Sequence, residues 1–229
     1  MKIAILTEDQ ATQDLAYPIA VNIWEAGSQL TPTSGTVTIK DPDGTAIVTA
    51  AAMTLSVKTL TYSLAAASTA TLWENAIIEV DYIVSTVHYL ATFLFDVVIY
   101  PLTCTVIDTD LKAYAPQIAD DIWSTQTSYD TQIQEAFKLI KRAIKNKGKR
   151  PSLIIDGSQV RELIILKTFE MICFDFAKDP ADIWFARYEK YKTAYEEAFA
   201  SLNIKYDEDE SGNITTEEAN ALGQINLQR

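Results

Sequence analysis

Residues 77–101 read IIEVDYIVSTVHYLATFLFDVVIYP, and the pattern within this stretch decides the fold class. In its first part every second side chain is apolar: Ile78, Val80, Tyr82 and Val84. A period of two places one set of side chains on a single face of a β-strand. Ser85–His88 predicts a turn into a second strand over Tyr89–Ile99. After Pro101 the apolar spacing lengthens to that of helices, so we predict an α+β chain with two domains, residues 1–101 and 102–218.

The period of two continues toward the N-terminus and predicts further strands. The segments that carry it, or that are rich in residues typical of strands, are Tyr17–Ile23, Val37–Ile39, Met53–Val57 and Leu60–Ala65. Roughly six or seven short strands at this spacing predict a small antiparallel β-sandwich, immunoglobulin-like in the loose sense. Ser68–Asn75 is expected to form a loop or one helical turn.

One turn between these strands is specified by its chemistry. Asp41-Pro42-Asp43-Gly44 contains a proline that presets φ and a glycine that tolerates positive φ. We therefore predict that it joins Val37–Lys40 to Ala46–Thr49 as a hairpin.

Two short helices are predicted after Pro101. The first should span Thr109–Tyr114, behind an acidic start. Pro116 should open the second, because proline suits the first turn of a helix and not its interior. In that second helix Ile118 and Ile122 would face the core.

A longer helix should follow, capped by Ser128 or Asp130 and ended by Gly148 with Pro151 beyond it. Its apolar side chains recur at spacings of four and three residues: Ile133, Phe137, Ile140 and Ile144. Such a spacing forms one stripe that faces a core. Basic residues crowd its C-terminal end: Lys141, Arg142, Lys145, Lys147, Lys149 and Arg150. They are candidates for an interface with DNA phosphates or with an acidic partner. The alternative is a solvated helix end whose charge complements the helix dipole.

Two further helices complete a predicted four-helix-type bundle. After an extended link over Ser152–Ile155, the third helix should be capped within Asp156–Ser158 and run to Phe176. It is apolar around most of its circumference, so we expect it at the centre of the bundle or partly buried by another subunit. The fourth helix should start at Asp179-Pro180. Its stripe is mostly aromatic and fits core packing or a ligand cage: Trp184, Tyr188, Tyr191, Tyr195, Phe199 and Leu202.

The charge balance bears on the class of partner. The 229 residues carry a net charge of −12. Residues 1–100 contribute −7, from three basic and ten acidic side chains, and residues 101–229 contribute −5, from sixteen basic and twenty-one acidic ones. An acidic surface repels DNA and anionic lipid. The longest apolar run, Tyr89–Tyr100, is too short to cross a bilayer as a helix and contains Asp96, so we expect no membrane partner.

The residues that most catalytic sites need are scarce. His88 is the only histidine and the chain has two cysteines, Cys104 and Cys173. This set excludes His-based triads and zinc sites with four soft or imidazole ligands. Neither GxGxxG nor GxxxxGKS/T occurs, so no phosphate-cradling loop is predicted. We therefore predict that the protein is not an enzyme, and that its two thiols are reduced, as in a cytosol.

One stretch, Asp207–Glu218, has the spacing of a metal site. It matches the EF-hand calcium loop, with Gly212 at the sharp turn and ligands at positions 1, 3, 5, 7 and 12: Asp207, Asp209, Ser211, Asn213 and Glu218. Ca²⁺ takes about 6–8 oxygen ligands, and this spacing wraps oxygens around one point. Calcium is the candidate cofactor, although no cofactor is required. The alternative is an acidic turn that closes the bundle without metal.

The order of elements over about residues 105–220 resembles a known family. A short acidic helix, a helix with a basic end and an apolar helix come first. An aromatic helix of the form W-x3-Y-x2-Y-x3-Y then follows Asp179-Pro180, and an acidic Y-D-x-D-x-x-G turn runs from Tyr206 to Gly212. This order resembles the head-to-tail connector proteins of tailed bacteriophages, also called adaptor or head-completion proteins. The β-rich first hundred residues depart from the smaller members, which are mostly helical.

The resemblance implies a structural protein of the virion neck, assembled in the host cytoplasm. In that family the bundle forms a homo-oligomeric ring, commonly a dodecamer, under the portal protein. The ring lines or seals the DNA channel, and C-terminal segments reach toward the portal. The implied partners are further copies of the chain, the portal, a downstream tail or neck protein, and DNA that passes without sequence-specific binding. The polar tail 219–229 is expected to be extended.

Two other functions stay open at this point. The first is another phage structural role, as a tail-completion or decoration protein. The second belongs to a different class: a calcium-binding recognition module built on the acidic loop 207–218, with the sandwich as its recognition domain.

Overall fold

The computed structural model describes residues 2–119 and 126–220, which form an α+β protein with two β-sheets and five α-helices. The chain divides into two compact units, Met1–Pro101 and Leu102–Arg229. We call them the β unit and the helical unit. No helix of the described residues has both the length and the apolarity needed to cross a membrane.

The β unit contains ten strands: β1 (Lys2–Leu6), β2 (Gln10–Thr12), β3 (Tyr17–Glu25), β4 (Ser28–Leu30), β5 (Ser34–Lys40), β6 (Ala46–Ala52), β7 (Thr54–Ser56), β8 (Thr59–Leu64), β9 (Trp73–Val84) and β10 (Val87–Val98). The first sheet has the order β1-β3-β8-β7, and β4 also pairs with β3. The second sheet has the order β2-β10-β9-β5-β6.

The period of two correctly predicts the buried face of the long strands. Alternate residues of β3 and β9 are buried, while their neighbours are half-buried or exposed. The two sheets share one core, to which β3 contributes Ile19 and β9 contributes Ile78, both 0% exposed. Within that core the ring of Tyr17 stacks on the ring of Phe95, with centroids 5.6 Å apart. Burying one such side chain contributes about 1.5–3 kcal/mol, so this shared core stabilises both sheets.

The Asp41–Gly44 hairpin is confirmed, and its side-chain chemistry closes it. The backbone N–H of Asp41 donates to the Thr45 carbonyl oxygen at 3.0 Å, and Asp41 Oδ1 accepts from the Thr45 N–H at 2.8 Å. Gly44 has a φ of +87°, which only glycine adopts without strain. The turn therefore joins β5 to β6 as predicted.

The prediction of six or seven strands was wrong, because short strands carry too few residues to show a period. The strands it omits are β1, β2 and β4, with five, three and three residues. The expectation of purely antiparallel sheets was also wrong, since β2 pairs in parallel with β10. The chain crosses from one sheet to the other between Leu6 and Gln10, without a hairpin, and so enters β2 in the direction of β10. The segment Ser68–Asn75, expected to form a loop or one helical turn, contains the end of the 3-10 turn Ala66–Thr69, which agrees with that expectation, and the first three residues of β9, which do not.

The helical unit contains α1 (Asp108–Tyr114), α2 (Asp130–Asn146), α3 (Arg161–Phe176), α4 (Ile183–Ala200) and α5 (Thr216–Asn220), with 3-10 turns at Pro116–Ala119, Pro151–Leu153 and Gly157–Val160. The first two helical segments and α2 lie where the sequence places them, but the cap predicted for α2 at Ser128 or Asp130 was wrong, because the N-cap residue is Tyr129 and Asp130 is the first helical residue. Ile118 is buried as predicted. Ile122 and residues 221–229 lie outside the described residues.

Helix α3 lies at the centre of the helical unit, packed against both α2 and α4. Eight of its side chains are buried: Leu163, Ile164, Ile165, Leu166, Thr168, Phe169, Ile172 and Cys173. The stripe predicted on α2 meets this core through Ile133, Ile140 and Ile144, which are 1%, 0% and 0% exposed. The only hydroxyl among the eight, that of Thr168, donates to the Ile164 carbonyl oxygen at 2.7 Å. Neighbours within one chain therefore explain the apolar circumference of α3, except at Phe174, which is exposed.

Several predicted boundaries shift for local reasons. The link expected to be extended, Ser152–Ile155, overlaps the 3-10 turn Pro151–Leu153. The fourth helix starts at Ile183 and not at Pro180, because the carboxylate of Asp179 accepts the N–H of Ala181 at 2.8 Å and forms a turn that competes with the helix. Asp182 then caps α4 through the N–H of Trp184 at 3.1 Å.

The start of the predicted tail is also corrected. The expectation of an extended tail from residue 219 was wrong for its first two residues, which belong to α5.

The close approach of Gly157 to the backbone of Thr103 yields a stability prediction. A Cβ on Gly157 would overlap the carbonyl oxygen of Thr103 and lie 3.0 Å from Thr105 Cγ2. We expect Gly157→Ala to lower the free energy of unfolding by about 3 kcal/mol, because a carbonyl oxygen cannot rotate away as a side chain can. Ser158→Ala, at the neighbouring exposed position, should cost less than about 1 kcal/mol. Urea unfolding of both variants measures the difference, and equal stabilities would contradict the close approach.

Candidate functional site: an acidic loop beside a basic helix end

The acidic loop Asp207–Glu218 is fixed to the helical unit by the residues that precede it. Ile204 is 4% exposed and belongs to the core of the unit. The backbone of Lys205 makes two hydrogen bonds with the side chain of Gln159. The N–H of Lys205 donates to Gln159 Oε1 at 2.7 Å, and Gln159 Nε2 donates to the Lys205 carbonyl oxygen at 3.2 Å. The N–H of Asp207 donates to the Leu153 carbonyl oxygen at 3.1 Å. The loop therefore starts from a rigid base beside the end of α2.

The carboxylate of Asp207 organises the first half of the loop. The residue is 1% exposed, and its two oxygens accept the N–H of Ser211 at 3.0 Å and the N–H of Gly212 at 2.7 Å. Gly212 has a φ of +83°, as the sharp turn requires. Positions 1, 5 and 6 of the predicted motif are thus in contact.

The carboxylate of Glu218 closes the loop from its other end. Its Oε1 accepts the N–H groups of Glu208 and Asp209 at 2.6 and 3.2 Å, and its Oε2 accepts the N–H of Thr215 at 2.7 Å. These hydrogen bonds favour the ionised form, and the bond from the Thr215 backbone is the main cause that lowers the pKa of Glu218. Hydrogen bonds from Ser211 likewise lower the pKa of Asp209.

The arrangement brings together three of the five predicted metal ligands. One carboxylate oxygen each from Asp207, Asp209 and Glu218 lies within 4.8 Å of the other two. The remaining two ligands are adjacent to each other, since Ser211 Oγ donates to the Asn213 carbonyl oxygen at 3.1 Å. This set of hard oxygens suits Ca²⁺ chemically. The same oxygens already accept backbone N–H groups, so the loop is also closed by its own hydrogen bonds, as the metal-free alternative requires.

The basic residues at the end of α2 do not form one uniform patch. Arg142, Lys145, Lys147 and Arg150 are exposed and Lys149 is half-buried; we call these five residues the basic end. Lys141, predicted with them, is 8% exposed, and its Nζ lies 5.0 Å from the centre of the Phe137 ring. Lys141 therefore packs along the helical unit, and it is the one interface candidate that the structure places inside.

The sequence did not predict that the basic end and the acidic loop are neighbours. Arg150 Nη2 lies 3.5 Å from Glu210 Oε1, although the two residues are sixty positions apart. Their runs of opposite charge are visible in the sequence, but no spacing rule brings them together. The contact depends on the packing of α4 and on the hydrogen bond from Asp207 to Leu153.

The aromatic stripe of α4 faces α3, as core packing requires. The ring of Tyr191 stacks on Phe169 with centroids 4.9 Å apart, and the ring of Trp184 lies 5.0 Å from that of Phe176. All six stripe residues are half-buried. At the α3–α4 connection, however, apolar side chains remain outside. Phe174 is 60% exposed and Ile183 is 63% exposed.

Tyr188 joins this exposed surface to the stripe. Its ring contacts that of Phe174 at 5.3 Å and that of the half-buried Phe185 at 5.7 Å. We call Phe174, Ile183, Phe185 and Tyr188 the aromatic end.

Comparison of the chain with protein-family models, curated proteins and solved structures found no match. The resemblance of residues 105–220 to the phage adaptors therefore stays a prediction.

The lowered pKa values in the loop predict how stability depends on pH. A carboxylate whose pKa is depressed in the folded state contributes stability above its unfolded pKa of about 4, and this is lost as pH falls through the folded pKa. We expect the melting temperature of Glu218→Gln to lie below that of the natural protein near pH 6, and the gap to shrink below about pH 4. Thermal melts between these pH values measure the gap. The exposed neighbour provides the control, because Glu217→Gln should melt as the natural protein does; a gap that does not vary with pH would contradict the role of the Glu218 carboxylate.

Proposed function

We propose that the chain is a structural protein of a tailed-phage virion. It acts as a neck adaptor, a homo-oligomeric ring between portal and tail that lines or seals the DNA channel, with a dodecamer as the expected stoichiometry. It assembles in the host cytoplasm and has no catalytic role. Its partners are further copies, the portal protein and a downstream tail or neck protein. The observation that carries the proposal is the aromatic end, an apolar surface that the described residues leave exposed.

The order of elements in the helical unit supports the adaptor reading. A short acidic helix (α1), a helix with a basic end (α2), a buried apolar helix (α3), an aromatic helix (α4) and an acidic loop follow one another as the resemblance implies. We take α1–α4 as a four-helix-type adaptor bundle over residues 102–218, with 219–229 as its tail. Because α3 is buried within its own chain, the apolar excess of α3 no longer argues for a ring. The ring contact is assigned to the aromatic end.

The exposure of the aromatic end is the kind of feature that marks an interface. Aromatic residues are enriched at the centres of protein–protein interfaces, and contiguous exposed apolar surface is uncommon on monomers. Phe174 and Ile183 are each more than half exposed, and the half-buried ring of Tyr188 contacts the rings of Phe174 and Phe185. A neighbouring subunit would cover this surface.

The β unit is proposed as an immunoglobulin-like sandwich over residues 1–101. Its strand order supports this, because β1-β3-β8-β7 and β2-β10-β9-β5-β6 correspond to the two sheets A-B-E-D and A′-G-F-C-C′ of such domains. As an appended domain it would form an outer collar of the ring, where it touches the capsid or carries fibres. The net charge of −12 suits a channel in which DNA slides and does not adhere.

Ring formation gives the direct test. We expect size-exclusion chromatography with light scattering to show a large ring, alone or on addition of portal protein. The double variant Phe174→Ser/Ile183→Ser should assemble at concentrations at least about tenfold higher, because it removes apolar surface that the neighbour would bury. It should keep the unfolding midpoint of the monomer, since both side chains are exposed.

Val57→Ser is the matched control for this test. Val57 is 88% exposed but lies in the β unit, so its replacement should leave ring assembly unchanged. A natural protein that stays monomeric with and without portal would contradict the adaptor proposal. A ring that forms equally well with the double variant would remove the aromatic end from the interface.

A tail-completion or decoration protein is the alternative within phage structural proteins. Such a protein would have the same helices and strands as the neck adaptor but would bind tail or capsid proteins in place of the portal. Assembly on tail or capsid proteins in the absence of portal would favour it over the neck adaptor.

The calcium-binding module is the alternative of another class, and it would use the three clustered carboxylates as ligands. A module would gain about 2.7 kcal/mol of stability at a calcium concentration one hundred times its Kd. Under our proposal the loop is closed by its own N–H groups, so we expect equal melting temperatures in CaCl₂ and in EDTA. A monomer whose melting temperature rises in CaCl₂, with the rise abolished in Asp209→Asn, would favour the module.

A further inference from the structure

The basic end of α2 and the acidic loop lie side by side, and neither ring assembly nor calcium binding requires this. Two contacts establish the juxtaposition. The N–H of Asp207 binds the Leu153 carbonyl oxygen at 3.1 Å, and Arg150 Nη2 lies 3.5 Å from Glu210 Oε1. The first contact is made by the buried start of the loop, so the juxtaposition does not depend on the exposed ion pair alone.

The two sides carry similar numbers of opposite charges. The basic end has five basic side chains, and residues 207–218 carry six acidic ones. Charges a few ångströms apart interact well within the screening length of about 10 Å at 0.1 M salt. The single pair between Arg150 and Glu210 is exposed and weak by itself. The other carboxylates of the loop add to the negative potential at Arg150, because they belong to the same twelve-residue segment as Glu210.

A basic cluster of this kind binds a polyanion when it is uncovered. Lys and Arg side chains that approach DNA phosphates release condensed counterions, which gives affinity without base recognition. Arg142, Lys145 and Lys147 are exposed at or just beyond the C-terminal end of α2. They need no pocket to contact phosphates, because the interaction depends on charge.

The composition of the basic end favours DNA over an acidic protein as the ligand. Residues 141–150 read KRAIKNKGKR and contain no aromatic side chain. Aromatic anchors account for much of the affinity at protein interfaces, whereas phosphate contacts need only Lys and Arg. The acidic loop of the same chain already occupies the place that an acidic protein ligand would take.

We propose that the basic end of α2 is a sequence-independent contact site for the DNA phosphate backbone, and that the acidic loop of the same chain competes with DNA for it. This inference rests on the proposed function, because the DNA would be that which passes through the channel of the ring. Competition from the acidic loop keeps the contact between DNA and the basic end weak. Passing DNA is then guided at the basic end and released, because the loop carboxylates replace the phosphates.

Fluorescence anisotropy with a labelled 30-base-pair duplex tests the competition. The probe is titrated with the full chain at low and moderate salt. Glu210→Gln removes the carboxylate beside Arg150, and we expect it to bind the duplex about three- to fivefold more tightly than the natural protein at low salt. The gain should fall as salt rises, as expected for phosphate contacts.

Two matched variants separate local competition from net charge. Glu189→Gln removes the same charge from the exposed side of α4, about 17 Å before the end of that helix at 1.5 Å per residue, and should bind DNA as the natural protein does. Adding Arg142→Gln/Lys145→Gln to Glu210→Gln should abolish the gain. Circular dichroism confirms that each variant is folded before titration.

Three results would overturn the inference. Glu210→Gln and Glu189→Gln could bind DNA equally, which would leave only net charge. The gain could survive Arg142→Gln/Lys145→Gln, which would place the site elsewhere. Poly-L-glutamate could displace the probe as well as unlabelled DNA does at equal charge, which would assign the surface to acidic proteins.

The anisotropy test and the light-scattering test distinguish a failure of the competition from a failure of the adaptor proposal. A chain that forms a ring but shows no gain in DNA binding with Glu210→Gln would refute the competition and keep the adaptor. A chain that gains DNA binding but never assembles would refute the adaptor and keep the competition.

Discussion

The burial of α3 is the constraint on which the helical unit depends. A helix with apolar side chains around most of its circumference cannot stand at a surface, so it needs a neighbour on each side. Helix α2 covers one side and α4 covers another. Because α4 must lie along α3, the chain that leaves α4 at Ser201 is delivered beside Leu153, and the acidic loop is placed there. The acidic loop therefore lies next to the basic end because α3 is buried between α2 and α4.

The placement of α4 also explains what remains exposed. The stripe of α4 packs mainly against α3, and none of the residues of α4 is fully buried. At the α3–α4 connection the chain reverses direction, and Phe174 and Ile183 remain more than half exposed, although the ring of Tyr188 contacts that of Phe174. The aromatic end is therefore the part of the α3–α4 pair that no element of the described residues covers.

Local chemistry made the larger part of the fold predictable, and long-range contact made the rest unpredictable. The hairpin at Asp41–Gly44 and the stripe of α2 follow from residues close in sequence, which is why both were predicted correctly. The start of α4 was misplaced because Asp179 uses its carboxylate in a turn, a competition that helix patterns do not contain. The three carboxylates that meet in the acidic loop, those of Asp207, Asp209 and Glu218, are at most eleven positions apart in the sequence. Its contact with Arg150 joins residues sixty positions apart, and only the packed structure brings them together.

The parallel pairing of β2 with β10 has a mechanical consequence. The pair is held by hydrogen bonds such as those from Asp96 N–H to the Asp9 carbonyl oxygen at 3.0 Å and from Gln13 N–H to the Val98 carbonyl oxygen at 2.8 Å. These strands lie near the two ends of the β unit and run in the same direction. A pull that separates those ends would load the bonds together in shear, so they would resist as a group and not open one at a time. The β unit is built to transmit tension along the chain rather than to unravel under it.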